Sequence, residues 1–366
     1  MAILLLGLFI LITLVNILFF IGYFSFASAK DSNTQATPPV SVIICAKNEA
    51  ENLKDFIPYI LEQTYPDFEV ILVNDASVDD TLDVMEHFEK LDPRVRLVNV
   101  QNNEAFWGKK KYALTLGIKK AKNSTLLFTD ADCKPESNLW ISEMASNFVQ
   151  DKTIVLGYGG YLKNKGSFLN KLIRYETLLT AIQYFSYAKW GIPYMGVGRN
   201  LAYTSQEFYN QNGFATHLHI KSGDDDLFVN QAGTQDNTAI SFNKSAITRS
   251  VPKTNFSAWI LQKRRHVSTA KFYKKKHKFL LASFFFSQIG FWILLTILLI
   301  LKIHWPIVLS VFVLRFLIQY TVYYKSAKKL DEIDLLWLIP VLEVFLIFTQ
   351  LSIFSMNVFS KPTNWK

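Results

Sequence analysis

Two carboxylates one residue apart follow a short apolar run in the segment LLFTDADCKP, residues 126–135. The carboxylates belong to Asp130 and Asp132. Bare carboxylates repel each other and are costly to remove from water. A hard divalent cation such as Mg²⁺ or Mn²⁺ stabilises such a pair and can also bind a diphosphate. The pair therefore indicates a metal site for a phosphate-containing ligand, although the same spacing alone also fits a solvated turn.

A second acidic cluster lies in SGDDDLFV, where Asp224, Asp225 and Asp226 are consecutive. Like charges this close raise the pKa of at least one carboxyl group, and a raised pKa suits a general base. An acidic first turn of a helix, favoured by the helix dipole, is the structural alternative.

Strands and helices alternate along the part of the chain that carries these acids. The segments VSVIIC, FEVILVND, VRLVNV and TLLFTD are β-branched or apolar runs, and stretches with helical periodicity separate them. This order predicts a doubly wound α/β sheet, in which ligands bind at the carboxyl ends of the strands. Asn48, Asp75, Asp130 and Asp132 each follow a predicted strand end, so one site is expected to collect them.

Long apolar stretches flank the polar middle of this 366-residue chain, which is 50% hydrophobic and carries a formal charge of +9. Each stretch exceeds the roughly 20 residues that a helix needs to cross a bilayer. The first has no basic residues before its apolar core, which favours a retained span over a cleaved signal peptide. The predicted divisions are an N-terminal span at 1–29, a catalytic domain at 30–235, a juxtamembrane segment at 236–278, and three spans within 279–360 (279–301, 303–324 and 335–358).

Basic segments beside the predicted spans set the expected orientation. KFYKKKHK at 271–278 and YYKSAKK at 323–329 place the polar middle in the cytoplasm by the positive-inside rule. Four crossings then put both termini on the opposite side of the plasma or inner membrane. The net positive charge of the chain indicates contact with anionic membrane lipids and not with nucleic acid. Arg315 and Glu343 are single charges at similar predicted depth, and unpaired charges there are costly, so they are expected to pair.

Seven segments together resemble the membrane-bound family 2 glycosyltransferases, the group of cellulose, chitin and hyaluronan synthases and ceramide glucosyltransferase. They are VSVIICAKNEAENL, EVILVNDASVDDT, KKYALTLGI, FTDADCKP, GVGRNLAY, GDDDLFV and QKRRH, in the family's order over residues 40–266. The resemblance implies a GT-A-type doubly wound mixed sheet and an inverting hexosyltransferase. It also implies a nucleotide-diphosphate sugar donor, most often a UDP-sugar, and Mg²⁺ or Mn²⁺ as cofactor.

The resemblance also implies roles for individual residues. The matches to donor-binding positions are Ala46, Asn48, Glu49, Asp75, Lys110, Asp130, Gln262, Arg265 and His266. Lys109 is an alternative match for the donor-contacting lysine. Asp132 and Asp130 match the metal ligands. Asp225 matches the catalytic base, with Asp224 as the second candidate. The matches to acceptor-binding positions are Gly198, Asn200 and Asp226.

Two departures from the family pattern bear on the product. Asp224 stands where the family usually has glutamate, and His266 stands where it has tryptophan in Gln-x-x-Arg-Trp. Because histidine stacks less well near an acceptor, transfer of one or a few sugars to a lipid or lipid-linked acceptor is favoured. A processive polysaccharide synthase remains the alternative within the family, and a nucleotidyltransferase or an inactive membrane scaffold are alternatives outside it.

Overall fold

The computed structural model describes residues 1–31, 36–101, 109–220 and 222–359. Within them the strands are β1 Val40–Ala46, β2 Phe68–Asp75, β3 Val95–Val100, β4 Thr125–Asp130, β5 Cys133–Pro135, β6 Ile154–Leu156, β7 Gly159–Tyr161, β8 Leu201–Thr204, β9 Thr238–Ile240 and β10 Thr248–Ser250. The α-helices are α1 Ala2–Ala27, α2 Ala50–Leu61, α3 Thr81–Leu91, α4 Lys109–Lys120, α5 Trp140–Ala145, α6 Phe168–Lys189, α7 Ser205–Asn210, α8 Asp226–Ala232, α9 Phe256–Val267, α10 Lys275–Ile300, α11 Trp305–Lys329 and α12 Ile339–Phe359.

The main sheet confirms the predicted α/β class and is mixed. Its strand order is β3-β2-β1-β4-β8-β6-β9. The first four strands are parallel, and β8 runs antiparallel to both β4 and β6. β1 and β2 are almost wholly buried, as expected for β-branched strands covered by helices on both faces.

A small second sheet supports the segment that carries the acid pair. Its order is β5-β10-β7, and β5 begins one residue after Asp132. The backbone N–H of Val251, just past β10, donates to the carbonyl of Asp132 at 3.2 Å. The backbone of Asp132 is therefore fixed between the two sheets.

Four helical segments are long and apolar enough to cross a membrane, as predicted. They are Ala2–Ala27, Lys275–Ile300, Trp305–Lys329 and Ile333–Phe359. The predicted pairing inside them is also confirmed, because Nη2 of Arg315 lies 2.5 Å from Oε1 of Glu343 and both side chains are buried. Asn16, Gln288 and Gln319 complete the hydrogen bonds of this pair.

α12 lies steeply across α10. Glu343 bonds to Gln288, and Phe354 packs edge-on against Phe285. α12 therefore advances roughly 16 Å, at 1.5 Å per residue, while its partners on α10 shift by less than one turn. Near its end, Asn357 exchanges hydrogen bonds with Arg264 of α9 at 2.9 and 3.2 Å.

The turn between α11 and α12 is tied to the catalytic domain by buried ion pairs. Glu332 is fully buried and accepts from Arg174 of α6 at 2.7 Å and from Arg249 of β10 at 2.8 Å. The hydroxyl of Tyr158 is a third donor, at 3.2 Å. The long apolar helices and strand β10, which lies beside Asp132, are thus joined through one carboxylate.

Candidate active site

The carboxyl ends of three neighbouring strands bring their acids to one edge of the main sheet. In the strand register, Cys45 lies beside Asp130, and Ala46 lies beside Asn74. Asp75 follows at the end of β2 and is only 6% exposed. The structure therefore places Ala46, Asp75 and Asp130 together, as the strand pattern indicates.

The loops after β1 and β2 brace each other at this edge. Asn48 has φ +55° and accepts from the backbone N–H of Val78 at 2.9 Å through its side-chain oxygen. Its own N–H donates to Ser77 at 3.0 Å, and the N–H of Glu49 donates to Thr81 at 2.8 Å. These bonds give Asn48 and Glu49 a loop-bracing role beside Asp75, which positions the predicted donor-binding edge.

Asp130 and Asp132 form a candidate metal site. Their carboxylate oxygens and the Sγ of Cys133 all lie within 4.8 Å of one another. Oxygen donors suit Mg²⁺ or Mn²⁺, whereas a thiol is a soft ligand. Burial raises the pKa of the Cys133 thiol well above its usual range, so it stays protonated. The two carboxylates fit a hard divalent cation, and Cys133 contributes packing.

Lys110 of α4 joins the two acidic clusters. Its Nζ lies 3.1 Å from Oδ1 of Asp130 and 3.1 Å from Oδ2 of Asp224. Burial acts to lower the pKa of Lys110, but the two carboxylates outweigh it and hold that pKa well above its usual value. A permanent positive charge therefore lies between the metal site and the acids of α8. The side chain of the alternative, Lys109, lies outside the described part of the chain.

Asp225 has the environment expected for a general base. Its carboxylate accepts from the backbone N–H of Gly198 and from that of Asp226, both at 2.7 Å. Burial, followed by the negative charges of Asp224 and Asp226, raises the pKa of Asp225 to about 7. The carboxylate lines one small cavity with Cys45, Lys110, Asp130 and Asp224.

Asp224 differs from its neighbour because it is ion-paired. Burial acts to raise its pKa, but the charge and hydrogen bond of Lys110 hold that pKa below the usual range. An ionised, paired carboxylate is a weak proton acceptor, so the geometry favours Asp225 over Asp224 as the base.

Two residues predicted to contact the acceptor have other partners. Asp226 is 7% exposed, and its Oδ2 accepts from the hydroxyls of Thr269 at 2.5 Å and Tyr273 at 2.6 Å. Asn200 is fully buried, and its amide bonds to Trp140, Tyr158 and Ala246. Their polar atoms are engaged inside the protein, which favours a supporting role for both.

The Gln262, Arg265 and His266 motif lies on the second half of α9. Gln262 and Arg265 are partly buried, and burial lowers the pKa of Arg265. The side chain of His266 is exposed to solvent, although other protein groups lie near its ring. Desolvation by these groups, with the positive charges of Lys263 and Arg199, lowers the pKa of His266 below its usual value.

Sequence reasoning missed two cations. Arg199 lies over the ring of Tyr161 at 4.2 Å, and its charge acts on Asp132 and Asp130. Lys111 is 1% exposed and donates to three backbone carbonyls of the loop before Asp224, those of His217, Ile220 and Ser222. The glycines just before Arg199 could have indicated an anion contact there. Nothing in the segment KKKY distinguishes the buried Lys111 from the lysines beside it.

Comparison with known proteins identifies the family of one part of the chain. Residues 41–209 match the model of the glycosyl transferase family 2. The match covers the first four strands, the Asp130–Asp132 pair and the Gly198–Asn200 segment. The chain carries a family 2 glycosyltransferase domain. The acids of α8 and the α9 motif follow the matched residues of this domain.

Two bacterial glycosyltransferases are among the relatives of this domain. The putative teichuronic acid biosynthesis glycosyltransferase TuaG of Bacillus subtilis is 28% identical over 149 residues, 40% of this chain and 57% of that protein. The poly-beta-1,6-N-acetyl-D-glucosamine synthase of Staphylococcus epidermidis is 27% identical over 155 residues, 42% of this chain and 36% of that protein. The similarity spans about half or less of each relative.

One solved structure has a similar fold over most of the chain. The mannosyltransferase PcManGT from Pyrobaculum calidifontis, in complex with GDP-Man and Mn²⁺, aligns with a TM-score of 0.59 and 17% identity. The alignment covers 90% of this chain and 98% of that protein. The likeness shows that the two proteins share a GT-A fold.

Proposed function

We propose that the protein transfers a sugar from a nucleotide-diphosphate sugar to a lipid or lipid-linked acceptor at the membrane, with inversion at the anomeric carbon. One observation carries the proposal. Lys110 joins the Asp130–Asp132 pair to an acidic cluster in which Asp225 has a pKa of about 7. A diphosphate site and a proton acceptor therefore share one cleft.

Asp225 takes the proton of the acceptor hydroxyl as its oxygen attacks the anomeric carbon. The two backbone N–H groups on this carboxylate fix its direction. A pKa near the working pH gives both an ionised fraction and a useful driving force for proton transfer.

Asp130 and Asp132 would hold Mg²⁺ or Mn²⁺, which supplies positive charge to the departing nucleoside diphosphate. Lys110 and Arg199 add positive charge on either side of the pair. Asp75 and the braced loop at Asn48 form the far side of the same sheet edge, where the nucleotide would lie. A UDP-sugar is the expected donor by the family resemblance, and Mn²⁺ in the structure of PcManGT supports a divalent cation.

The proposed location is a plasma or inner membrane with the catalytic domain on the cytoplasmic side. The basic segment KFYKKKHK, which leads into α10, supports this orientation by the positive-inside rule. Nucleotide sugars would then reach the cleft from the cytoplasm, and membrane lipids would surround α1, α10 and α11.

A donor screen tests the proposal. Purified protein in lipid would be given each nucleotide sugar with Mn²⁺ or Mg²⁺ and a membrane lipid extract. The expected result is metal-dependent release of nucleoside diphosphate from one donor, with label moved to a lipid-soluble product. Release of pyrophosphate, or no turnover with any donor, would contradict it.

Polymer synthesis is a second candidate because one relative is a poly-beta-1,6-N-acetyl-D-glucosamine synthase. His266 in place of tryptophan favours a short product. The same screen separates the two, because a processive enzyme gives products longer than one sugar at low turnover.

A further inference from the structure

A cavity of about 130 Å³ lies between α6 and the helices α10 and α12. It belongs to neither the metal site nor the acidic cluster. Its depth is fixed by Gln288 on its wall, which bonds to Glu343 in the buried Arg315–Glu343 cluster. The cavity therefore lies among the long apolar helices that are expected to cross the membrane, next to α6 of the α/β domain.

Three amide side chains give the cavity an uncharged polar lining. Gln183 comes from α6, Gln288 from α10 and Gln350 from α12. The NH₂ group of Gln183 donates to the hydroxyl of Tyr23, and that of Gln288 donates to Glu343. Among the described residues, their carbonyl oxygens and the whole amide of Gln350 have no hydrogen-bond partner. Polar groups at membrane depth without partners are costly, which indicates a ligand able to donate and accept hydrogen bonds.

Charge excludes one class of occupant. The cavity wall carries one acid, Glu176, and no cation among its described residues. Lys263 of α9 lies beside this acid and is paired with it at 2.5 Å. A phosphate group would meet a carboxylate without a free positive charge, whereas a hydroxyl or amide would find suitable partners.

The same ion pair links the cavity to the catalytic cleft. Lys263 lies one turn before His266 on α9, and His266 lies within electrostatic reach of Lys110. α9 therefore borders both spaces. α12 closes the membrane side of the cavity, and Phe284, Phe285 and Phe354 supply an apolar rim for hydrocarbon chains.

We propose that this cavity binds the uncharged, hydroxyl-bearing headgroup of a membrane lipid and presents that lipid as the sugar acceptor. The assignment of the lipid as acceptor rests on the proposed function, whereas the binding itself does not. The class is a neutral lipid of the diacylglycerol kind, in preference to a polyprenyl phosphate.

Photolabelling of the full chain in phosphatidylcholine nanodiscs tests the binding without donor or metal. The probes are a diazirine dioleoylglycerol and a diazirine undecaprenyl phosphate. Dioleoylglycerol is expected to label α6, α10 and α12 around the cavity. Gln183→Leu and Gln350→Leu should each lower this labelling about fivefold to tenfold, the loss of one or two hydrogen bonds. Ser352→Leu, on the exposed face of α12, is the matched control and should leave it unchanged.

The outcomes separate this inference from the proposed function. Three results would overturn the inference: labelling elsewhere in the chain, labelling of both glutamine variants as strong as that of the unaltered protein, or stronger labelling of the cavity by the phosphate probe. Cavity labelling by dioleoylglycerol with no sugar transfer from any donor would support the site and contradict the proposed function. Sugar transfer only to another acceptor, without labelling of the cavity, would support the proposed function and contradict the site.

Discussion

Asp224, Asp225 and Asp226 are neighbours in the chain but have three different environments. Asp224 pairs with Lys110, Asp225 faces the cleft on two backbone N–H groups, and Asp226 is bonded to Thr269 and Tyr273. Their separation follows from the start of α8, because Asp225 is its N-cap and successive side chains diverge there. One of the three is therefore available as a base.

The rate of transfer should depend on the ionisation of Asp225. Since its pKa is raised to about 7, the base form is lost as pH falls below that value. We expect kcat/KM to rise about tenfold per pH unit below pH 7 and to level off above it. The charged and titratable groups that act on Asp225 are Asp224, Asp226, Lys110, Tyr203 and Tyr273. A pH–rate profile checks this prediction. A flat profile from about one and a half pH units below that pKa to about one unit above it would contradict it.

Asp226 should behave as a structural residue. Thr269→Val removes a hydroxyl from a buried carboxylate and should lower stability by about 1–3 kcal/mol. Thr269→Ser keeps the hydroxyl and serves as the control. Unfolding temperature in lipid should fall only for the valine variant, while the KM for the acceptor stays the same in both. A raised acceptor KM without a loss of stability would instead support direct acceptor contact.

The positions that the sequence predicts well are those fixed by local pattern. Asp75 and Asp130 end strands whose register the sheet determines, and Asp132 follows two residues later, so their convergence follows from the alternation of strands and helices. The internal partners of Asn200 and Asp226 could not be predicted because they come from distant segments, as in the bond from Trp140 to Asn200. A local motif does not show which polar atoms are already satisfied.

At the scale of elements, the membrane helices are held by one buried polar cluster. Arg315 and Glu343 come from α11 and α12, and Asn16 of α1 and Gln288 of α10 bond to the same pair. The pairing of the two charges was predicted from their depth alone. The participation of α1 was not, because helix packing is not encoded in hydropathy.

Breaking the Arg315–Glu343 pair should be strongly destabilising. Arg315→Met leaves a buried carboxylate without a counter-charge and should cost about 3–5 kcal/mol. The double variant Arg315→Met with Glu343→Gln should recover part of that loss, because no lone charge remains. Thermal unfolding in lipid measures both. The single variant Glu343→Gln is measured as well. If the loss of stability in the double variant equalled the sum of the losses in Arg315→Met and Glu343→Gln, the two charges would not be coupled.

At the scale of the whole molecule, the catalytic domain and the membrane helices form one connected body. Glu332 joins the turn before α12 to Arg174 and Arg249, and Asn357 joins the end of α12 to α9. One end of this apolar segment therefore contacts α6 of the α/β domain, and the other end contacts α9 of the segment that follows that domain. The sequence alone predicts the C-terminus on the opposite side of the membrane, whereas the contacts of α12 favour the same side.

The contacts of α12 predict that the C-terminal end lies on the same side as the catalytic domain. An epitope tag appended to the C-terminus should be cleaved by protease in sealed vesicles whose catalytic domain faces outward, and protected in vesicles of the other orientation. A tag at the N-terminus, before α1, should show the opposite pattern. Protection of both tags together would contradict the arrangement of α12.

The most direct test of the central claim measures donor binding and sugar transfer together in Asp225→Asn and Asp132→Ala. The account predicts that Asp225→Asn keeps metal-dependent binding of the nucleotide sugar but loses transfer by a factor of about 100 or more. Asp132→Ala should lose both binding and transfer, because the cation that holds the diphosphate lacks a ligand. Full transfer by Asp225→Asn, or unchanged donor binding by Asp132→Ala, would contradict the assignment of base and metal site.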